Sequence, residues 1–122
     1  MRIAVIILVV FLAQAALAGS WEEQPYKKSF AKEHHGRVDA SVRGGRKVDV
    51  LTRKHAVEFE KARNWDKAIE KSLENSNRSG KKAGIAIIKE GNSLDDYRVR
   101  QLKREIRQRD LDIEVWEMEE ED

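Results

Sequence analysis

The spacing of apolar side chains along this chain switches repeatedly between the helical period near four and the strand period of two. Tyr26, Phe30 and Ala31 follow the helical spacing within residues 21–35, with Pro25 limiting where that helix starts and Gly36 placed to end it. Val38, Ala40 and Val42 alternate with polar residues as in a half-buried strand, and Gly44-Gly45 predicts a hairpin turn into a second strand over residues 48–51. A short polar break at Arg53-Lys54 leads to a third strand over 56–60. From Asn64, a plausible N-cap, the period lengthens again: Trp65, Ala68, Ile69, Ser72 and Leu73 mark an amphipathic helix. Residues 77–80 are a turn, and the unbroken apolar run 83–88 is too short for a good helix and predicts a central strand buried on both faces. Val99, Leu102 and Ile106 stripe a helix over 94–109, and Leu111, Ile113 and Val115 alternate in a last strand. The predicted order is α-β-β-β-α-β-α-β: an α/β chain with a mixed β-sheet flanked by helices.

The beginning of the chain does not belong to that pattern. Residues 3–13 are almost continuously apolar, follow Arg2, and precede Ala16-Leu17-Ala18. This predicts a signal peptide over residues 1–18, cleaved after Ala18, with an apolar core too short to span a bilayer. The expectation is an exported protein, periplasmic or secreted, in which residues 19–116 form one domain and 117–122 an acidic tail. Roughly a hundred residues suffice for one core. The chain has no Cys, so disulfides cannot assist it.

Charge is balanced in total, with 24 Lys and Arg against 22 Asp and Glu, but not in distribution. Residues 98–109 hold six Arg or Lys, whereas 117–122 read Glu-Met-Glu-Glu-Glu-Asp. A solvated helix face accounts for the basic run; the other reading is a surface that follows a phosphate backbone.

The candidate chemistry lies between Lys47 and Ser72. If Arg53-Lys54 is a two-residue turn, Asp49 falls across the ladder from Glu58, and Glu60 shares the face of Glu58. Like charges opposite one another on neighbouring strands are destabilising, so three converging carboxylates need a cation. Their hard oxygen donors suit Mg²⁺ or Mn²⁺. The competing explanation is a polar sheet face paired with local cations such as Lys47 and Lys61.

Asp49, then Glu58-Phe-Glu60 on the next strand, followed by a helix, resembles the core of the PD-(D/E)xK nuclease superfamily, the restriction-endonuclease-like fold. The runs Arg46-Lys-Val-Asp-Val-Leu-Thr, His55-Ala-Val-Glu-Phe-Glu, Trp65-Asp-Lys-Ala-Ile-Glu-Lys-Ser-Leu and Gly84-Ile-Ala-Ile-Ile are similar to a group of small exported bacterial proteins of unassigned function within it. The resemblance covers nearly all of the chain after residue 18. It implies that Asp49 and Glu58 bind metal, that Glu60 stands where the motif has Lys and either ligates the metal as well or accepts a proton from water, and that Glu33 completes the metal site from the first helix. Lys71 falls on the following helix, where related proteins often have Gln and where some members of the superfamily carry the catalytic Lys. The departures are the absent Pro before Asp49 and the absent strand Lys.

The resemblance thus implies a metal-dependent phosphodiester hydrolase acting on DNA or RNA, with Asp49, Glu58, Glu60 and Lys71 as catalytic residues and Mg²⁺ or Mn²⁺ as cofactor. The alternative is a catalytically inactive domain of the same fold, exported as a binding module. Other residues weigh less. His34 and His35 point apart on a helix, His55 abuts a turn, and Trp65, Ile69 and Leu73 have core spacing. Lys67 and Arg78 suit a solvated face. No nucleophile triad, Gly-rich phosphate loop or Cys-based zinc motif is present.

Overall fold

A two-residue turn sets the register from which the sheet is built. In the computed structural model, which describes residues 23–119, the Thr52 amide donates to the His55 carbonyl oxygen at 2.9 Å and Thr52 Oγ1 accepts from the His55 amide at 2.9 Å. Arg53 and Lys54 are left as the turn. Val50 therefore faces Val57, and Leu51 faces Ala56. The expected signal peptide, residues 1–18, lies outside the described residues.

The described elements run α1 (Gln24–His34), β1 (Arg37–Ser41), β2 (Lys47–Leu51), β3 (His55–Lys61), α2 (Trp65–Ser79), β4 (Lys82–Lys89), α3 (Asp95–Gln108) and β5 (Ile113–Glu119), with short 3-10 turns at Arg43–Gly45 and Ala62–Asn64. They form a mixed α/β structure. Its five-stranded sheet has the order β1-β2-β3-β4-β5, antiparallel from β1 to β3 and parallel from β3 to β5. Crossovers of one hand, stepping in one direction, put their helices on the same face. Accordingly α2 and α3 pack together over Ile85 and Ile87, burying Ala68, Ile69, Val99, Leu102 and Ile106. On the other face α1 lays Phe30 and Ala31 over Val50, Val57, Phe59, Ala86 and Ile88. The apolar run of β4 is continuous because both layers draw on it.

Several elements differ from the reading of the sequence. β5 continues through Glu119, so Glu117, Met118 and Glu119 belong to the last strand and not to an acidic tail. They pair with Ile87, Ile88 and Lys89 of β4. Lys103 and Lys89 compensate the charge there, and their bonds hold the Glu117 carboxyl below its usual pKa, the Lys103 hydrogen bond foremost. Asn64 is the N-cap of α2 but makes no side-chain capping bond. The left-handed residue ending α1 is His35, at φ 55°. Gly36 is required for space instead, since a Cβ there would stand 2.8 Å from Val50 Cγ1. Among the described residues no helix is long and apolar enough to cross a membrane.

A candidate carboxylate and lysine site

The β2–β3 register, carried one residue beyond Val50 and Val57, sets Asp49 opposite Glu58, yet backbone pairing stops there. The Asp49 side chain takes over as acceptor: Oδ2 receives the Phe59 amide at 2.8 Å. The β1–β2 register meanwhile sets Asp39 opposite Asp49, with Asp39 in the left-handed region at φ 51°. Asp49 thus has a like charge on either side. The compensating cation that such crowding requires is Lys27 of α1. Its Nζ lies 2.9 Å from Asp49 Oδ1 and 3.3 Å from Asp39 Oδ1, with only 5 % of the side chain exposed. Burial works against the Lys27 ammonium, but hydrogen bonding and charge from Asp49, then Asp39, outweigh it and raise its pKa.

Glu58 and Glu60 lie on the face covered by α2, in register with Ile85 and Ile87. Residues two apart on a strand are separated by about 7 Å, and residues four apart on a helix by about 6 Å. The two spacings match closely enough to give each carboxylate a partner on α2. Lys71 Nζ lies 3.4 Å from Glu60 Oε2, and Asn75 Nδ2 donates to Glu58 Oε2 at 3.0 Å. Glu60 is buried and Lys71 half-exposed. Among the described residues Glu58 has no cation of its own. Burial, then the charge of Asp49, pushes its pKa up to about 8; Glu60 adds to the rise, while Lys71 and the Asn75 hydrogen bond oppose it. Partial burial disfavours the Lys71 ammonium, but Glu60 and Glu58 prevail and raise its pKa.

Glu23, just before α1, faces the same cluster. Desolvation raises its pKa, Asp49 and Glu60 raise it further, and Lys27 and Lys61 oppose. Glu33, expected to supply the acidic group of the first helix, is exposed on α1. It lines a cleft of about 810 Å³ with His34, Trp116 and Glu117, and no hydrogen bond or ion pair joins it to Asp49, Glu58 or Glu60. Of the cations expected to neutralise the sheet face, Lys47 is exposed, and the Lys61 ammonium meets Glu90 at 3.5 Å.

The structure therefore brings Asp49, Glu58, Glu60 and Lys71 into one electrostatic cluster and leaves Glu33 apart. Sequence reading missed Lys27, Asp39, Asn75 and Glu23. Asn75 had a legible signal, one helical turn after Lys71. Lys27 and Asp39 had none, because Lys27 reaches Asp39 and Asp49 only through the packing of α1 on the sheet. Asp49, Glu58 and Glu60 are the hard-oxygen donors that Mg²⁺ or Mn²⁺ takes. As arranged, each already has a partner, and among the described residues no three His, Cys, Asp or Glu side chains gather closely enough to hold a metal ion. In comparisons with known proteins, the chain matches no family model, no curated protein and no solved structure.

Proposed function

We propose that this chain is an exported, Mg²⁺- or Mn²⁺-dependent phosphodiester hydrolase acting on DNA or RNA, with a restriction-endonuclease-like version of its mixed sheet. The observation that carries the reading is the crowding of Glu58 and Glu60 against Asp49, with Lys71 reaching in from α2. Such crowding costs folding stability, and a shared cation would relieve it. Asp49, Glu58 and Glu60 would hold the ion after Lys27 releases Asp49. A bound divalent ion supplies charge neutralisation and a water of lowered pKa. Lys71, half-exposed beside Glu60, neutralises a phosphoryl oxygen, and Glu60 accepts a proton from the attacking water.

The test is incubation of the purified protein with plasmid and single-stranded substrates in Mg²⁺, Mn²⁺ or EDTA. Cleavage should need the ion and should vanish in Asp49→Asn, Glu58→Gln and Lys71→Ala. Binding only to the folded state at a hundredfold excess over Kd stabilises by about 2.7 kcal/mol, or roughly 10–20 °C in Tm for a domain of this size. Lys71→Ala should keep that shift, and Asp49→Asn should lose it. No shift with either ion at millimolar concentration rules the reading out.

A second reading has its own observation. Both Asp49 oxygens are engaged, one by Lys27 and one by the Phe59 amide. A permanent ammonium in the place of the metal describes a catalytically silent nuclease-fold domain that serves as an exported binding module. Stable binding without cleavage, in a protein insensitive to metal, is its signature.

A further inference from the structure

The outer face of α3 is dressed differently from its inner one. Val99, Leu102 and Ile106 are buried, and the positions most nearly opposite them are Tyr97, Arg100, Arg104 and Gln108, with Arg107 alongside. Tyr97 is 53 % exposed and Leu94, one turn earlier, 50 %; they are the exposed large hydrophobics among the described residues. The other cations of the helix are engaged: Lys103 lies 2.7 Å from Glu117, Arg109 3.0 Å from Glu70, and Arg98 3.9 Å from Asp95. Arg100, Arg104 and Arg107 are exposed and have no ion pair among the described residues. The result is a stripe of one sign, headed by an aromatic ring; Glu105 is rotated about 100° from Arg104 round the helix, and Asp96, one turn before Arg100, is held by Lys89 at 3.2 Å.

We infer that this stripe docks the phosphate backbone of a single-stranded nucleic acid, with a base stacked on Tyr97. Arg100 to Arg107 spans about 10 Å along the helix, so that the three guanidinium groups follow one another along a single face and each is free to take one phosphate. Guanidinium forks match phosphate oxygens, and an exposed tyrosine offers the stacking surface on which unpaired bases settle. An anionic membrane would satisfy the arginines, but a solitary ring at one end of the stripe suits stacking better than insertion along a helix face. The inference extends the nucleic-acid reading above from cleavage to capture. Binding is measured in EDTA, so its failure is separate from a failure to hydrolyse.

The experiment is fluorescence anisotropy of a labelled mixed-sequence 15-mer DNA with the purified protein, from 50 to 200 mM salt. Three phosphate contacts on a single strand give a slope of about −2 in log K against log salt, a loss of roughly 15- to 20-fold over that range. Arg100→Gln, Arg104→Gln and Arg107→Gln combined should weaken binding at 50 mM salt at least tenfold and flatten the slope towards zero. Tyr97→Ala should weaken it about tenfold with the slope unchanged. All these positions are exposed, so the melting curve should stay as in wild type. Binding by the triple variant within twofold of wild type overturns the inference. So does tighter binding to phosphatidylglycerol-containing vesicles than to the oligonucleotide, which would make the stripe a membrane contact.

Discussion

Replacing Glu58 with glutamine tests the electrostatics of the cluster without changing its shape. The folded-state pKa of Glu58 is raised from 4.5 to about 8 by burial and by Asp49. Below pH 4.5 the carboxyl is neutral whether the chain is folded or not, and nothing is lost. Between pH 4.5 and 8 the unfolded chain releases the proton and the native chain keeps it, so stability falls as pH rises. A tenfold difference in proton affinity is worth about 1.4 kcal/mol, so the rise from 4.5 to about 8 sets a ceiling of about 5 kcal/mol by pH 9. Lys71 and Asn75 readjust around the ionised group, and half of that ceiling is the working expectation. A glutamine at this position cannot ionise, and its side-chain oxygen can still accept from Asn75. The variant should therefore melt with wild type at pH 4.5 and some 10–20 °C above it at pH 9, at about 4–8 °C per kcal/mol. Thermal melts followed by circular dichroism between pH 4.5 and 9, in EDTA, make the comparison. Parallel curves across the whole range would refute the argument, because Glu58 would then be titrating as an ordinary surface carboxylate.

Other positions give independent checks. Lys27→Gln removes the buried ammonium between Asp39 and Asp49 and should cost about 2–4 kcal/mol in denaturant unfolding, less than for a fully buried pair because both carboxylates are partly exposed. The same variant should bind Mn²⁺ roughly tenfold or more tightly by calorimetry if Lys27 competes with a cation for Asp49; unchanged affinity places the metal elsewhere or nowhere. Gly84→Ala would bring a Cβ to 2.7 Å from Trp116 Cζ3, and overpacking of this kind costs about 1–3 kcal/mol. A variant as stable as wild type would mean that Trp116 has room to move off the sheet. Leu102→Ala, fully buried between α3 and the sheet, should cost about 2–5 kcal/mol with the pH dependence left unaltered.

Much of the frame is a property of local sequence. The period-two and period-four stretches around Val48, Ala56, Trp65 and Val99 each became the element their spacing specifies, because an amphipathic stripe has one regular conformation that buries it. The run over residues 83–88 became the central strand β4, since only a position between two layers removes every one of its side chains from water. The turn at Arg53-Lys54 likewise fixed Asp49 opposite Glu58 by counting alone. Local pattern failed where a neighbour decides. Glu117, Met118 and Glu119 look like a solvated tail until β4 offers them a ladder and Lys89 and Lys103 offer them charge. His35 and not Gly36 is left-handed, and what demands glycine at 36 is Val50, fourteen residues away, which leaves no room for a Cβ there.

The candidate site divides in the same way. The sequence by itself determined that Asp49, Glu58 and Glu60 share one face, for side-chain alternation and a two-residue turn permit nothing else, and it set Lys71 on the helix above them. It could not determine what answers their charge. Electrostatic compensation depends on distance through space, and the cation that reaches Asp49 comes from a helix more than twenty residues earlier, laid against the opposite face of the sheet. Only the tertiary structure decided that Lys27 meets Asp49, that Glu23 and not Glu33 faces the cluster, and that Glu58 is left with an amide for a partner and a raised pKa.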